Sequence, residues 1–253
     1  MELLLVGCGK MGGALLTGWE RARVKVTVID PAGGEYPTLA KLPAAYAPDV
    51  IVLAVKPQAL DAVLPDYAAR FGGSTLYISI AAGKTLAYYS EKLGADARII
   101  RAMPNTPAVV GQGASVLVAG AQASAADRAA AEQLFQAVGK VYWVADEVQM
   151  HAVTALSGSG PAYVFLFMEA LSEAAAKAGL PGDMAAQLAV QTLAGAAALA
   201  EKNSDFAALQ RDVTSLGGTT EAALNILREN DALKRLIAEA MDQAIARSKA
   251  LSA

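Results

Sequence analysis

The sequence predicts an α/β half followed by an all-helical half, with the boundary near residue 146. Two observations support this division. In the first half, short apolar strands such as VIVLAV at 50–55 alternate with helical segments, which is typical of parallel sheets covered on both faces. After Asp146, alanine becomes dense and convincing strands disappear. We therefore assign residues 1–146 and 147–253 to separate domains.

The individual elements follow from β-branched or apolar runs and from helix start signals. Strands are expected at 2–6, 24–29, 50–55, 75–80, 98–102, 114–119 and 140–144. Helices of the first half are expected at 10–23, 60–71, 85–93 and 124–138. Helices of the second half are expected at 147–157, 161–178, 182–200, 205–213, 220–229 and 231–251. Pro161 and Pro181 lie at helix starts, where proline is tolerated.

Composition excludes several classes of function. The chain has one cysteine and one histidine, so we expect no intramolecular disulfide and no metal site built from several of these residues. The net charge of −3 gives no reason to expect a nucleic acid or a membrane surface as partner. The start of the chain lacks the basic residues and long apolar run of a secretion signal. A cytoplasmic location is the expectation that fits.

The helix predicted at 182–200 is unusually apolar. Its segment 184–200, MAAQLAVQTLAGAAALA, carries no charge, so it needs burial on nearly every side. We expect a large subunit interface with a two-fold axis. The alternative is that this helix forms the centre of one compact bundle within a single chain.

A glycine-rich turn follows the first strand. Gly7-Cys8-Gly9-Lys10-Met11-Gly12 fits the G-x-G-x-x-G pattern between a strand and a helix, and Asp30 ends the next strand. This context predicts a dinucleotide site, because the glycines admit the pyrophosphate and the helix N-terminus attracts it. The alternative is a tight strand-to-helix turn with a surface aspartate.

Other unusual segments follow the next strands. Lys56-Pro57, Ala81-Ala82-Gly83 and Met103-Pro104-Asn105-Thr106-Pro107 all lie at predicted carboxyl ends of strands. That is the edge where open parallel sheets bind ligands. Small residues at 81–83 would let a nicotinamide ring lie close to the backbone, although each loop has an ordinary explanation when it is taken alone.

The helical half is interrupted by DVTSLGGTTEAAL at 212–224. Gly217 and Gly218 allow close approach of a ligand, and a helix starting near Thr220 offers unpaired N–H groups to a carboxylate. The alternative is simple capping between two helices, since threonine is a favoured N-cap.

Three motifs together closely resemble those of the pyrroline-5-carboxylate reductase family. They are MPNTPAVVGQG at 103–113, HAVTALSGSGPAYVF at 151–165 and DVTSLGGTTEAAL, and the GxGxMG and AVKP elements agree in order and spacing. The resemblance implies reduction of 1-pyrroline-5-carboxylate to L-proline by NAD(P)H, the last step of proline synthesis. It also implies a Rossmann-type domain followed by a helical dimerisation domain that interlocks two subunits, often within a decamer.

The resemblance also implies roles for individual residues. The dinucleotide would contact Gly7, Cys8, Gly9, Lys10, Met11, Gly12, Ala54, Val55, Lys56, Pro57, Ala81, Ala82, Gly83 and Asn105. Asp30 is a further predicted contact because of its position at the end of the second strand, and the resemblance does not imply it. The pyrroline carboxylate and ring nitrogen would bind Glu147, Ser215, Gly217, Gly218, Thr219 and Thr220, with the site completed across the dimer. Thr220 is the candidate catalytic residue, and no metal is expected. We assign a structural role to His151, which lies on an apolar helix.

Two departures from the family pattern bear on the cofactor. Lys10 stands where many bacterial relatives have asparagine, and Asp30 is followed by no arginine that could bind a 2′-phosphate. We therefore expect a preference for NADH. Two other readings remain: a β-hydroxyacid dehydrogenase, which would need a lysine that SGSGPAYVFLFMEA at 157–170 lacks, and a non-catalytic NAD(P)-binding regulator.

Overall fold

We describe residues 1–252 of the chain in a computed structural model. The strands are β1 (Leu3–Val6), β2 (Val26–Ile29), β3 (Val50–Leu53), β4 (Leu76–Ser79), β5 (Arg98–Met103), β6 (Gly113–Ala119) and β7 (Gly139–Trp143). The helices are α1 (Lys10–Arg21), α2 (Leu60–Phe71), α3 (Leu86–Leu93), α4 (Ala125–Gln136), α5 (Met150–Val153), α6 (Gly160–Lys177), α7 (Gly182–Lys202), α8 (Phe206–Asp212), α9 (Thr219–Arg228) and α10 (Ala232–Ala250). The predicted α/β half and helical half are therefore confirmed.

The chain divides into two compact units. One contains residues 1–161 together with the described residues from 243 onward, and the other contains residues 162–242. Compact units need not coincide with domains of the sequence, so the division at residue 146 stays a prediction.

A seven-stranded sheet organises the first unit, in the order β2-β1-β3-β4-β5-β6-β7. The strands from β2 to β5 pair in parallel and in register, with Leu3 opposite both Val26 and Val50. The chain crosses over at β1, since β2 and β3 lie on either side of it. Open parallel sheets bind ligands at the carboxyl edge beside such a switch point.

The β5–β6 pair departs from the parallel pattern. β6 runs antiparallel to β5, because the connection contains only a short 3-10 turn at Thr106–Val110 and lacks the crossover helix that a parallel pair needs. β7 then pairs in parallel with β6 after α4. The sequence pattern located both strands without indicating this reversal.

Apolar side chains bury both faces of the sheet. Leu5, Val52 and Ile78 face one cluster, and Leu4, Ile51 and Tyr77 face the other. Alternate residues of each strand enter opposite clusters because successive side chains point to opposite faces. This explains why the central strands are apolar at every position.

The segment predicted as one helix over 147–157 is wrong in detail. It consists of a 3-10 turn at Glu147–Gln149, the single α-helical turn α5, and a π-helical turn at Thr154–Gly158. The π turn is closed by the Ser159 N–H, which donates to the Thr154 carbonyl at 2.9 Å.

The helices of the second unit have little buried surface of their own. No residue of α6 is buried, and in α7 only Ala185 and Ala189 are. Phe165 and Leu166 of α6 are 61% and 65% exposed. Apolar side chains thus point outward around the helix, which is unusual for a surface that water covers permanently.

Trp19 gives a test of the packing between α1 and α4. Its side chain is fully buried, its Nε1–H donates to the Leu134 carbonyl at 2.8 Å, and its ring meets Phe135 edge-on. Trp19→Phe should lower the free energy of unfolding by about 2–4 kcal/mol, because it leaves a void and an unpaired carbonyl. Urea unfolding checks this. Trp143→Phe on β7 is the matched control, and equal losses in the two variants would contradict the assignment.

Candidate active site

The glycine turn between β1 and α1 requires glycine at two of its three positions for packing. Gly7 has φ +93°, and a Cβ there would lie 2.9 Å from the Ala54 carbonyl carbon and oxygen. A Cβ on Gly12 would lie 2.3 Å from the Gly7 carbonyl oxygen. A Cβ on Gly9 would meet nothing within 4 Å. Packing therefore does not explain Gly9, whereas close approach of a ligand would.

Gly9 also opens the N-terminus of α1. It is the N-cap residue and makes no side-chain capping bond. The free N–H groups of the first helical turn, with the positive end of the helix dipole, suit a phosphate. The predicted contacts Lys10 and Met11 form the start of this helix, with Lys10 exposed.

Asp30 ties the glycine turn to the loop after β2. Its Oδ2 accepts the Cys8 N–H at 2.6 Å, and its Oδ1 accepts the Ala32 N–H at 2.7 Å. Each oxygen keeps a further lone pair, so the carboxylate can still accept a ribose hydroxyl. The Cys8 side chain stays a thiol, since burial first and then the charges of Asp30 and Glu20 raise its pKa.

A cavity of about 460 Å³ lies at this edge of the sheet. It brings together predicted cofactor residues from three loops: Gly7, Gly9, Asp30, Ala54, Val55 and Lys56. Pro57 follows on the same connection, as the first residue of the 3-10 turn before α2. A larger cavity of about 750 Å³ lies at the opposite edge, beside Asp49, Thr75 and Arg98 where strands begin. Of these two cavities, the first adjoins the glycine turn.

The loop after β4 continues the same edge. Ala81 is 7% exposed, and its N–H donates to Ser79 Oγ at 3.2 Å. Gly83 has φ +81°, and a Cβ there would lie 2.6 Å from the Leu251 carbonyl oxygen. Ala82 lies between them and is partly exposed. The segment predicted to lie beside the nicotinamide therefore presents backbone and small side chains, and Leu251, which follows α10, packs against it.

Asn105 is used internally by the fold. Its Oδ1 accepts the Ala114 N–H at 2.8 Å, and its Nδ2 donates to the Ser157 carbonyl at 3.1 Å. The side chain thereby joins the loop after β5 to β6 and to the π turn. It is 7% exposed, so any cofactor contact from this residue would use its remaining N–H or its backbone.

A partly buried charged pair lies next to this segment, and the sequence analysis did not identify the two residues as a pair. Arg101 of β5 is 6% exposed, and its Nη1 donates to Glu147 Oε1 at 2.6 Å. The same oxygen accepts the Leu86 N–H at 2.7 Å. Tyr89 bonds Ser79 beside this pair, and burial raises the pKa of Tyr89 to about 12, so its phenol stays neutral. An arginine inside the apolar strand RIIRAM was the available signal.

His151 is joined to the last turn of α10. Its Nδ1 lies 2.9 Å from Ser248 Oγ, and Ser248 is 6% exposed. This hydrogen bond agrees with the structural role assigned to the residue. Burial lowers the pKa of His151, and the charges of Arg101 and Lys249 lower it further, against the opposing effect of Glu147.

The predicted substrate cradle lies in the second unit. The N-cap of α9 is Gly218, with no side-chain cap, and Gly217 before it has φ +71°. The Gly217 N–H donates to Glu221 Oε2 at 2.7 Å. Thr219 and Thr220 are therefore the first helical residues, and no hydrogen bond from either hydroxyl occurs among the described residues. Threonine capping does not account for these side chains.

The rest of the cradle is open. Ser215 and Leu216 are exposed, and the Ser215 carbonyl accepts the Gly218 N–H at 3.0 Å, which closes the turn. Within residues 1–252, no group of three or more His, Cys, Asp or Glu side chains is arranged to hold a metal ion. No helix in that range has the length and apolar character needed to cross a bilayer.

The pH dependence of stability tests the environment of His151. Because folding lowers its pKa below the reference 6.5, its contribution is present above that value and is lost as the pH falls through the folded pKa. His151→Asn cannot titrate but can still bond Ser248. Its unfolding free energy should fall less than that of the wild type between about pH 7.5 and 5.5. Urea unfolding at each pH measures this free energy, and an equal decrease in the wild type and in His151→Asn would refute the prediction.

Two family models match the chain. Residues 147–251 match the model described as pyrroline-5-carboxylate reductase dimerisation. Residues 2–83 match the model described as NADP oxidoreductase, coenzyme F420-dependent. The two matches fall on the helical half and on the half that contains the glycine turn.

Whole-chain comparisons agree with these matches. The chain is 40% identical to a pyrroline-5-carboxylate reductase of Pseudomonas aeruginosa, over 99% of this chain and 97% of that one. It superposes on the NADP-bound pyrroline carboxylate reductase of Plasmodium falciparum with a TM-score of 0.90 and 31% identity, covering 100% and 98% of the two chains. For the Coxiella burnetii pyrroline-5-carboxylate reductase, the TM-score is 0.89 and the identity 35%, with the same coverage. The chain belongs to the pyrroline-5-carboxylate reductase family.

Proposed function

We propose that this chain reduces 1-pyrroline-5-carboxylate to L-proline by hydride transfer from NAD(P)H, in the last step of proline biosynthesis. The observation that carries the proposal is the glycine turn. Gly7 and Gly12 are demanded by backbone packing, whereas Gly9 faces open space at an uncapped helix N-terminus. Family membership and the open cradle before α9 support the same reaction.

The residues at the carboxyl edge of the sheet would hold the dinucleotide. The α1 N-terminus would bind the pyrophosphate, Asp30 and the loop at 54–57 would bind the adenosine half, and the backbone at 81–83 would contact the nicotinamide. When bound, the reduced nicotinamide supplies the hydride. No cation other than Lys56 lines the cavity among its described residues, so backbone N–H groups would bind most of the phosphate charge.

The cradle would hold the substrate and favour its reactive form. A protonated ring nitrogen makes the adjacent carbon a better hydride acceptor, so the site must bind the iminium. The N–H groups at the start of α9 would bind the carboxylate, and the hydroxyls of Ser215 and Thr220 would orient the ring. Thr220 is the residue that we place on the nitrogen. A threonine hydroxyl is a poor acid, so we assign catalysis to positioning and electrostatics, with solvent as the proton source.

Self-association is the second part of the proposal. The helical half matches a dimerisation family, and α6 and α7 expose apolar side chains that one chain leaves uncovered. We propose a two-fold homodimer built from this half, with assembly of dimers into a decamer and a cytoplasmic location as further proposals.

A turnover assay with pyrroline-5-carboxylate and NADH separates this function from the alternatives. A β-hydroxyacid dehydrogenase would place a catalytic lysine early in α6, but the only lysine of that helix is Lys177 at its end. A non-catalytic regulator would bind the dinucleotide without turnover. Dinucleotide binding without reduction of the imine would overturn the proposed reaction.

Asp30 is proposed to favour NADH over NADPH. The cavity is lined by the carboxylates of Asp30 and Asp66 and by Lys56, so a 2′-phosphate there meets like charge. At about 4 Å that repulsion is roughly 1 kcal/mol in water, and we expect kcat/KM to favour NADH about five- to tenfold. Asp30→Asn should bring the ratio towards unity, and Asp66→Asn is the control for general charge. A clear NADPH preference in the wild type would defeat the claim.

Thr220→Val tests the cradle. Valine keeps the shape and removes only a hydroxyl that caps nothing, so stability should change by less than about 1 kcal/mol. Loss of a hydrogen bond to a charged nitrogen should lower kcat/KM roughly 10- to 150-fold, with NADH affinity unchanged. Thr219→Val should be milder, since that residue would contribute mainly its backbone. Retention of more than half the wild-type kcat/KM, or a loss that follows Tm, would end the assignment.

A further inference from the structure

The segment 81–86 is held at both ends by hydrogen bonds from its backbone N–H groups to side chains. At its start, the Ala81 N–H donates to Ser79 Oγ at 3.2 Å, and Ser79 is itself bonded to the buried Tyr89. At its end, the Leu86 N–H donates to Glu147 Oε1 at 2.7 Å across 61 positions of sequence. Between these anchors lie Ala82 and Gly83, the residues that we place against the nicotinamide.

Arg101 fixes the second anchor. Its Nη1 donates to the same Oε1 atom at 2.6 Å, and the arginine side chain is 7% exposed while that of Glu147 is 27% exposed. A nearly buried guanidinium needs a carboxylate partner, because an unpaired buried charge is costly. Both described hydrogen bonds of Glu147 therefore engage one oxygen, and both donors belong to the protein.

The hydrogen bond from the Leu86 N–H to Glu147 fixes the start of α3. Leu86 is the first residue of α3, and the Thr85 side chain caps the Tyr88 N–H. The Leu86 N–H lies at a helix N-terminus, where a carboxylate is favoured by the helix dipole. Glu147 thus holds the start of α3, and with it the end of the loop that begins at Ala81.

We infer that Arg101 and Glu147 are positioning residues that set the backbone of 81–86 for the nicotinamide, and that Glu147 does not bind the substrate. This inference rests on the proposed function for its ligand. It replaces the substrate contact that the family resemblance implied for Glu147 with a role in nicotinamide binding. The residues proposed to bind the ADP-ribose half, Gly9 and Asp30, lie on other loops. Binding of that half should therefore not depend on the Arg101–Glu147 pair.

The test compares two ligands that share the adenosine half. NADH contains the nicotinamide and ADP-ribose does not, so titration calorimetry with each separates the two parts of the site. Glu147→Ala should raise the Kd for NADH about tenfold or more, through loss of a charge-assisted contact. The Kd for ADP-ribose should stay within about twofold. Glu147→Gln retains an oxygen for both donors and should recover most of the NADH affinity.

Steady-state kinetics supply the opposing outcome. If Glu147 contacts the substrate, Glu147→Gln should raise KM for pyrroline-5-carboxylate, and Glu147→Ala should leave the Kd for NADH unchanged. Either result would overturn the inference. Equal losses for NADH and ADP-ribose would also overturn it, since they indicate general damage to the fold. Asp146→Ala is the matched control: it removes the neighbouring carboxylate, whose one hydrogen bond among residues 1–252 is from the Val148 N–H within the same turn.

Two further variants keep the inference testable when Glu147→Ala does not fold. Ser79→Ala removes the other anchor of the segment and should weaken NADH but not ADP-ribose. Arg101→Lys keeps the charge but shortens the reach, and it should show the same selectivity.

Failure of the proposed reaction is separate, because it would appear as absent turnover in a wild-type protein that still binds NADH more tightly than ADP-ribose. Wild-type protein that does not distinguish the two ligands would overturn the inference.

Discussion

Close backbone contact between the β1–α1 turn and the end of β3 is the constraint on which the candidate site depends. Gly7 leaves no room for a Cβ beside the Ala54 carbonyl, and Gly12 leaves none beside Gly7. This contact directs α1 with its N-terminus at the carboxyl edge of the sheet. It also places the Cys8 N–H within reach of Asp30. The residues that follow β1, β2 and β3 therefore line one cavity. Two glycines make this possible, because they let the backbone of the β1–α1 turn approach that of Ala54.

Much of this could be predicted from sequence, because it depends on local patterns. Apolar runs located the strands, and the glycine fingerprint with Asp30 located the turn. The antiparallel β6 could not be predicted, since the pattern of a buried strand is the same in either direction. The π turn at Thr154–Gly158 was also missed, because a helical apolar period continues through it.

The contacts of polar side chains were the part of the candidate site that the sequence predicted least well. Asn105 was expected near the cofactor, and the structure shows both of its amide atoms bonded to the protein. Glu147 is paired with Arg101, which is 46 positions away in sequence. Such pairs arise only when the sheet brings distant segments together. A motif can identify the residues, but it does not distinguish a side chain that touches a ligand from one that holds the residues that do.

Two helix N-termini that lack a side-chain cap would bind different anions in the proposed reaction. α3, α4 and α8 are capped by the side chains of Thr85, Ser124 and Asp205. α1 and α9 instead have Gly9 and Gly218 at the N-cap, and neither makes a side-chain cap bond. Glycine costs only a few tenths of a kcal/mol relative to a capping residue, and it leaves the first N–H groups accessible. In the proposed reaction α1 would face a pyrophosphate and α9 a carboxylate. A side-chain oxygen at either cap would compete with the ligand for the same donors, which gives a physical reason for glycine at both positions.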